Sequence, residues 1–158
     1  MNGTAILRKA TVLDRHAQLA RALDHLRALL LLGTRLWVGW QFLKSGWLKL
    51  TTWDVTLELF RGEYQVPLLP PEAAAVAGTF GELVFPLLLI PGLLTRIGAL
   101  GLSAVNLLAV VSYWHVLGGE GFEAALAQHV LWGYMLAVCV VFGGGALSLD
   151  RLSGHDRA

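Results

Sequence analysis

The sequence predicts an all-α fold: an integral membrane four-helix bundle with an N-terminal interfacial helix and a short extracytoplasmic helix between spans 1 and 2. Three observations point there. The 158 residues are 56% hydrophobic and 15% charged, where an average soluble domain carries roughly 25% charged residues; mean hydropathy is +0.61. Four apolar stretches each reach about twenty residues, which at a rise of 1.5 Å per residue crosses a ~30 Å hydrocarbon core. Those stretches also lack the polar face that a soluble bundle helix presents to water.

The elements follow in order. Residues 1–27 read as a cytoplasmic amphipathic segment, because Val12, Leu19, Leu23, Leu26 and Leu30 form a helical stripe beside Arg15, Arg21 and Asp24. The same charges interrupt the segment, so it does not read as a secretory signal peptide. The membrane domain covers residues 28–150. Span 1 runs from Ala28 to Leu48 with Arg35 and Lys44 inside it. Thr52 or Asp54 then caps a short helix that reaches Phe60 and stops before Gly62, placed to lie over the bundle as a lid. Pro67 and the Pro70-Pro71 pair reset the chain for span 2, proline being tolerated at a helix start. Span 2 runs from Glu72 to Ile90, and Glu82 is the sole charged residue between Ala73 and Thr95. A tight turn, Pro91-Gly92-Leu93-Leu94-Thr95-Arg96, leads into span 3, Ile97 to Gly119, which has no Asp, Glu, Lys or Arg. Span 4, Ala124 to Gly143, has none either. Residues 151–158 form a cytoplasmic tail.

Loop charges orient the chain. Arg8, Lys9, Arg15, Arg21 and Arg27 precede span 1, and Arg96 marks the turn between spans 2 and 3. Asp54, Glu58 and Glu63 follow span 1, and Glu120 and Glu123 precede span 4. The positive-inside rule puts both termini in the cytoplasm of a multi-pass protein of the bacterial inner membrane. Trp47, Trp53, Trp114 and Trp132 then gather at the outer interface, as an aromatic belt does. A net charge of +1, with no DNA-sized basic patch, gives no nucleic-acid signal. The single cysteine, Cys139, excludes an intrachain disulfide and a CxxC redox or zinc motif.

The intramembrane polar residues carry the chemistry. A carboxylate near the midplane costs at least ~2.5 kcal/mol unless a partner or a proton removes its charge. Arg35, Gly39, Phe42, Gly46 and Lys49 recur at a 4-3-4-3 spacing and share one face of span 1, where glycines allow a neighbouring helix to approach. Arg35 sits about 11–12 Å into its span and Glu82 about 15 Å from the same side. The expected arrangement is therefore a buried Arg35–Glu82 ion pair, which either fixes helix register or lines a ligand or proton site. Asn106 and Tyr113 share a face of span 3, and Asn106 is expected to hydrogen-bond across helices, since an unpaired amide in hydrocarbon is expensive. Lys44, Lys49, Tyr64, His115 and His129 lie toward the outer face, the lysines able to snorkel to headgroups. His115 and His129 with Glu120 or Glu123 are metal-ligand types, but no His-x-x-x-His or comparable spacing occurs, and no metal site is expected. Cys139 reads as a packing residue. No catalytic residue is assigned.

Three motifs carry a family resemblance. The run Arg35-Leu36-Trp37-Val38-Gly39-Trp40-Gln41-Phe42, followed by Gly46 and Lys49, resembles the first helix of DoxX-type membrane proteins. Gly81-Glu82-Leu83 followed by Pro86-Leu87-Leu88-Leu89-Ile90-Pro91-Gly92-Leu93-Leu94-Thr95-Arg96 resembles their second. Gly143-x-Gly145-x-x-Ser148-Leu149-Asp150 is similar to their glycine-rich ending of the fourth helix. The likeness extends from about Leu30 to Asp150, and its motif residues are Arg35, Gly39, Lys49, Glu82, Gly92, Arg96 and Asp150.

The resemblance implies a compact four-helix membrane bundle. The family is named for a subunit of a thiosulfate:quinone oxidoreductase, and other members are linked to redox and stress systems. This chain has no cysteine pair, no C-x-x-C-H haem attachment and no strand-to-helix G-x-G-x-x-G. It therefore carries no intrinsic cofactor, and an electron carrier would be a bound quinone or belong to a partner. The leading expectation is a quinone-associated or redox-linked subunit of an oxidoreductase. The alternative is a non-enzymatic scaffold or assembly partner for another membrane or exported protein. A small transporter built on the Glu82 pocket is less favoured, because neither broken helices nor an inverted repeat is visible. The glycine-lined faces suit a homodimer and an intramolecular bundle equally.

Overall fold

A computed structural model describes residues 3–154, with side chains described from residue 15 onward apart from residues 16, 22 and 25. Every regular element among them is helical: α1 (Gly3–Thr51), α2 (Trp53–Gly62), α3 (Pro71–Leu89), α4 (Thr95–Ser112), α5 (Trp114–Leu117), α6 (Glu123–Phe142) and α7 (Leu149–Leu152). Three of them, α3, α4 and α6, are long and apolar enough to cross a membrane. The corresponding stretch of α1 is less apolar because Arg35, Gln41 and Lys44 interrupt it.

The first difference from expectation is in α1. The amphipathic segment and span 1 form a single helix of 49 residues, ~74 Å long at 1.5 Å per residue. The reason is local: no glycine or proline falls between Thr4 and Leu32 to break the backbone hydrogen-bond ladder. In the expected apolar stripe, Leu19, Leu23, Leu26 and Leu30 are exposed, while the side chain of Val12 lies outside the described residues. So do residues 155–158 of the expected C-terminal tail. A second difference is in span 3, where the helix stops at Ser112. Tyr113 leaves helical geometry (φ −115°, ψ 18°) and the chain restarts as α5.

A third difference is in α2, which runs through Gly62 rather than stopping before it and whose N-cap, Thr52, makes no side-chain capping bond; the boundaries of α3 and α6 follow their sequence signals. Pro70 is extended and Pro71 opens α3, where a missing N–H costs nothing. Gly92 (φ 74°) turns the chain between α3 and α4, and Gly143 (φ 67°) ends α6.

In the packing, α3 lies between α1 and α4, α4 lies between α3 and α6, and α6 returns to α1. The shared core contains Val38, Phe42, Leu89, Ala99, Leu102, Leu136 and Cys139. Glycines set the close approaches: a Cβ at Gly39 would meet Ile90 Cγ1 at 2.6 Å. Short α2 rests on α3 through Phe60, Ala74 and Ala75, with Trp53, Leu57, Tyr64 and Val66 around them. Outward faces of the long helices expose Leu100, Leu107, Val130, Leu131 and Val141, an apolar surface suited to lipid.

At the end of the molecule holding the α3–α4 turn, the C-terminal segment folds back onto the bundle. Leu149 and Asp150 N–H groups donate to the carbonyls of Pro91 and Gly92. The Asp150 carboxylate accepts from Leu94 N, Thr95 N and Thr95 Oγ1, capping the free amides at the start of α4.

Candidate functional site

Glu82 is buried on α3, and its partner is Lys49. The Lys49 ammonium lies 2.6 Å from both carboxylate oxygens, and the same nitrogen donates to Ser45 Oγ at 3.1 Å. Two features of the backbone bring the helices together here. A Cβ at Gly46 would stand only 2.9 Å from Glu82 Cβ and 3.1 Å from the Glu82 carbonyl oxygen. Pro86, four residues beyond Glu82, has no N–H to give that carbonyl. Glycine on one helix and proline on the other thus set the axial position of the pair.

The expected Arg35–Glu82 pair does not form. Arg35 is fully buried, but at the opposite end of the bundle, where its Nη2 donates to the carbonyl of Leu147 at 2.6 Å. Asp150 is the acidic group whose charge acts on it. A Cβ at Gly92 would fall on Arg35 Nη1, so the guanidinium occupies the space that glycine leaves. The difference has a geometric cause: α1 continues without a break past Ala28, so that residue does not mark the edge of the bundle, and Arg35 is level with the α3–α4 turn. Gly46, which faces Glu82, lies ~16 Å further along α1.

The Lys49–Glu82 pair borders a cavity of about 350 Å³ between α1, α3, α4 and α6, beneath α2 and the segment that follows it. That volume is within the range of small-molecule sites. Its polar lining includes Gln41, Ser45, Lys49, Tyr64, Glu82, Ser112, Tyr113 and His129; Phe42, Phe60 and Trp132 supply much of the apolar wall. Asn106 Nδ2 donates to the His129 carbonyl at 2.9 Å, and Asn106 Oδ1 lies 2.8 Å from His129 Nδ1. With the amide so oriented, Nδ1 carries the proton and Nε2 is the acceptor nitrogen of the neutral ring. The His129 ring also packs edge-on against Trp132, with centroids 5.0 Å apart.

The roof is aromatic. Tyr64 stands edge-on to Phe60 at 4.8 Å and to Tyr113 at 5.2 Å, and the Tyr113 hydroxyl donates to Glu63 at 3.1 Å. Gln65 N–H donates to the Ser112 carbonyl at 2.9 Å, tying the roof to α4. Burial, with Tyr113, Glu82 and Glu63 nearby, pushes the Tyr64 hydroxyl above the ordinary tyrosine range.

Of the residues singled out from sequence, the structure brings Lys49, Glu82, Tyr64, Tyr113 and His129 to one cavity, with Asn106 behind His129. Arg35 is elsewhere. Lys44 is exposed and reaches only Gln41, at 3.1 Å. His115 is exposed on α5 and touches the Tyr113 ring edge-on. Among the described residues no group of three or more His, Cys, Asp or Glu side chains is arranged to hold a metal. The cavity also takes in Gln41 and Ser45, which the sequence reading did not single out as site residues, and Trp132, expected only in the aromatic belt. Gln41 and Ser45 had a signal, since with Lys49 they form an i, i+4, i+8 row on one helix face.

The fold and cavity define a class: a membrane protein, helical in every regular element among the described residues, with an ion pair at the edge of an aromatic-lined pocket. The DoxX family profile matches residues 30–115, and the chain belongs to that family. An uncharacterised protein of Haemophilus influenzae is 29% identical over 126 residues, covering 77% of this chain and 82% of the relative. No solved structure gives a significant match.

Proposed function

We propose that this chain is a four-span protein of the bacterial inner membrane, with both termini cytoplasmic, and that its cavity holds the headgroup of a quinone as part of a redox-linked membrane system. In this reading the C-terminal part of α1 is span 1, added to the spans α3, α4 and α6, and its N-terminal part lies along the cytoplasmic interface. The carrying observation is the cavity wall, where the Lys49–Glu82 pair and His129 face aromatic rings across about 350 Å³. A quinone headgroup is a flat ring with two carbonyl acceptors. The Lys49 ammonium supplies a donor for one of them by exchanging its bond to Ser45 Oγ, and Phe42, Phe60 and Trp132 supply apolar and edge-to-face contacts. Reduction to the quinol takes two electrons, supplied by a redox partner, and two protons, and Glu82 and His129 are groups able to hold and pass the protons. Substitution or removal of the ligand leaves the pair satisfied, because each charge already has its partner.

The test is organic extraction of the detergent-purified protein followed by mass spectrometry. Wild type is expected to carry quinone, with loss in Lys49→Met and Glu82→Gln and retention in Arg61→Gln, whose exposed guanidinium pairs with Glu72 and does not line the cavity. Wild type that carries no quinone and binds no added short-chain quinone overturns the reading.

A further inference from the structure

A second cavity, of about 440 Å³, lies at the other end of the molecule, between the N-terminal half of α1, the start of α4 and α7. Three arginines line it, each from a different part of the chain: Arg27 on α1, Arg96 on α4 and Arg151 on α7. Asp24 is the one carboxylate in its wall. Among the described residues none of the three guanidinium groups is in an ion pair. The nearby Asp150 is already turned to the amides of Leu94 and Thr95. A fold that brings three like charges together gains from an anion among them.

We propose that this cavity binds the phosphate of an anionic phospholipid headgroup. Guanidinium forks match phosphate oxygens two at a time. Arg27 lies over the Phe142 ring, 5.2 Å from its centroid, which steadies its plane against an apolar wall. Phe142 and Leu31 in that wall give the glycerol and first acyl carbons an apolar path out of the site. The position along the bundle is also that of an interface. Arg27 precedes Lys49 on the same helix by ~33 Å, about one hydrocarbon thickness. Basic pockets between helices at that level are a known way of holding lipid headgroups. The inference rests on the membrane placement and is independent of the quinone reading, which concerns the opposite end.

The experiment is native mass spectrometry of the full chain in detergent, titrated with phosphatidylglycerol or with phosphatidylcholine of the same acyl chains. Wild type is expected to retain phosphatidylglycerol preferentially. Each of Arg27→Gln, Arg96→Gln and Arg151→Gln should lower that preference about fivefold. Arg96→Lys should keep most of it, and Arg61→Gln on the distant α2, whose guanidinium pairs with Glu72 at the start of α3, should leave it unchanged. Circular dichroism of each variant separates loss of the site from loss of the fold. Equal retention of the two lipids by wild type overturns the proposal, as does a preference that survives all three glutamine substitutions in folded protein. Millimolar inorganic phosphate is the remaining arm: failure to displace the lipid supports the assignment, and displacement with equal occupancy by phosphate alone makes this a free-phosphate site and overturns it.

Discussion

Asp150 accepts three hydrogen bonds, from Leu94 N at 2.6 Å, Thr95 N at 2.8 Å and Thr95 Oγ1 at 2.6 Å. Leu94 itself is left-handed (φ 48°), a conformation that costs a non-glycine residue on the order of 1 kcal/mol and persists only when its surroundings hold it. Asp150→Ala removes the acceptor and leaves buried donors unpaired, so a loss of about 2–4 kcal/mol is expected. A lowered thermal midpoint in detergent checks it, and Leu94→Gly, which removes the strain, should recover part of the loss. At the other end, Lys49→Met strands a buried carboxylate and is expected to cost about 3–5 kcal/mol. The double variant Lys49→Met/Glu82→Leu, with no stranded charge, should be more stable than Lys49→Met alone; equal or lower stability would show that the pair is not coupled in the way its geometry requires. The need for a partner at Glu82 was legible in the sequence from hydropathy alone. The identity of the partner was not, because Arg35 and Lys49 lie on the same helix face and only the axial offset of α1 against α3 chooses between them.

That offset is a property of the two helices, and Gly46 is its sharpest determinant. A methyl group there would stand 3.0 Å from the Glu82 carbonyl carbon as well as 2.9 Å from its Cβ, and a backbone neighbour cannot swing aside as a side-chain tip can. Gly46→Ala is expected to push α1 from α3, lengthen the Lys49–Glu82 contact and destabilise the fold by about 1–3 kcal/mol. Gly33→Ala, with nothing within 4 Å of its added Cβ, is the control, and it should be neutral or slightly stabilising. Both are read from thermal midpoints. The roof segment allows a pH test. The hydroxyl of Tyr64 is held above the ordinary tyrosine range by burial, so the folded state favours its protonated form. The resulting stability is fully present below the unfolded tyrosine value and is lost as pH rises through the higher folded one. Phenolate absorbance of wild type minus that of Tyr64→Phe should show this residue ionising later than free tyrosine; ionisation at or below the free value would mean that the roof is open. Helix type and order were readable from apolar runs, prolines and glycines. The break at Tyr113 was not, because no glycine or proline marks it and the packing of Tyr113 on Tyr64 and His115 is a tertiary event.

Over the whole molecule the two polar centres lie at opposite ends, and the charge bias of the sequence assigns a side of the membrane to each. The arginine-lined cavity contains Arg27, Arg96 and Arg151. The end holding Lys49, Glu82 and α2 is flanked by Asp54, Glu58, Glu63, Glu120 and Glu123. Positive-inside sorting acts on such basic residues close to span ends, so the arginine end should face the cytoplasm and the α2 end the outside. This can be decided with single cysteines in a Cys139→Ala background, since Cys139 is buried in the core and its removal leaves no native thiol. Glu120→Cys, in the exposed turn before α6, should react with a membrane-impermeant maleimide in intact cells. Ser153→Cys, just beyond α7, should react only after permeabilisation. The reverse pattern would put the arginine cavity on the outer leaflet, and labelling of both positions in intact cells would mean that α6, the long helix between them, does not cross the bilayer. A third position, Gln18→Cys on the exposed N-terminal part of α1, reports on the number of spans: with Glu120→Cys outside and Ser153→Cys inside, it should be protected in intact cells when α1 crosses the bilayer, and its labelling there would leave α3, α4 and α6 as the spans.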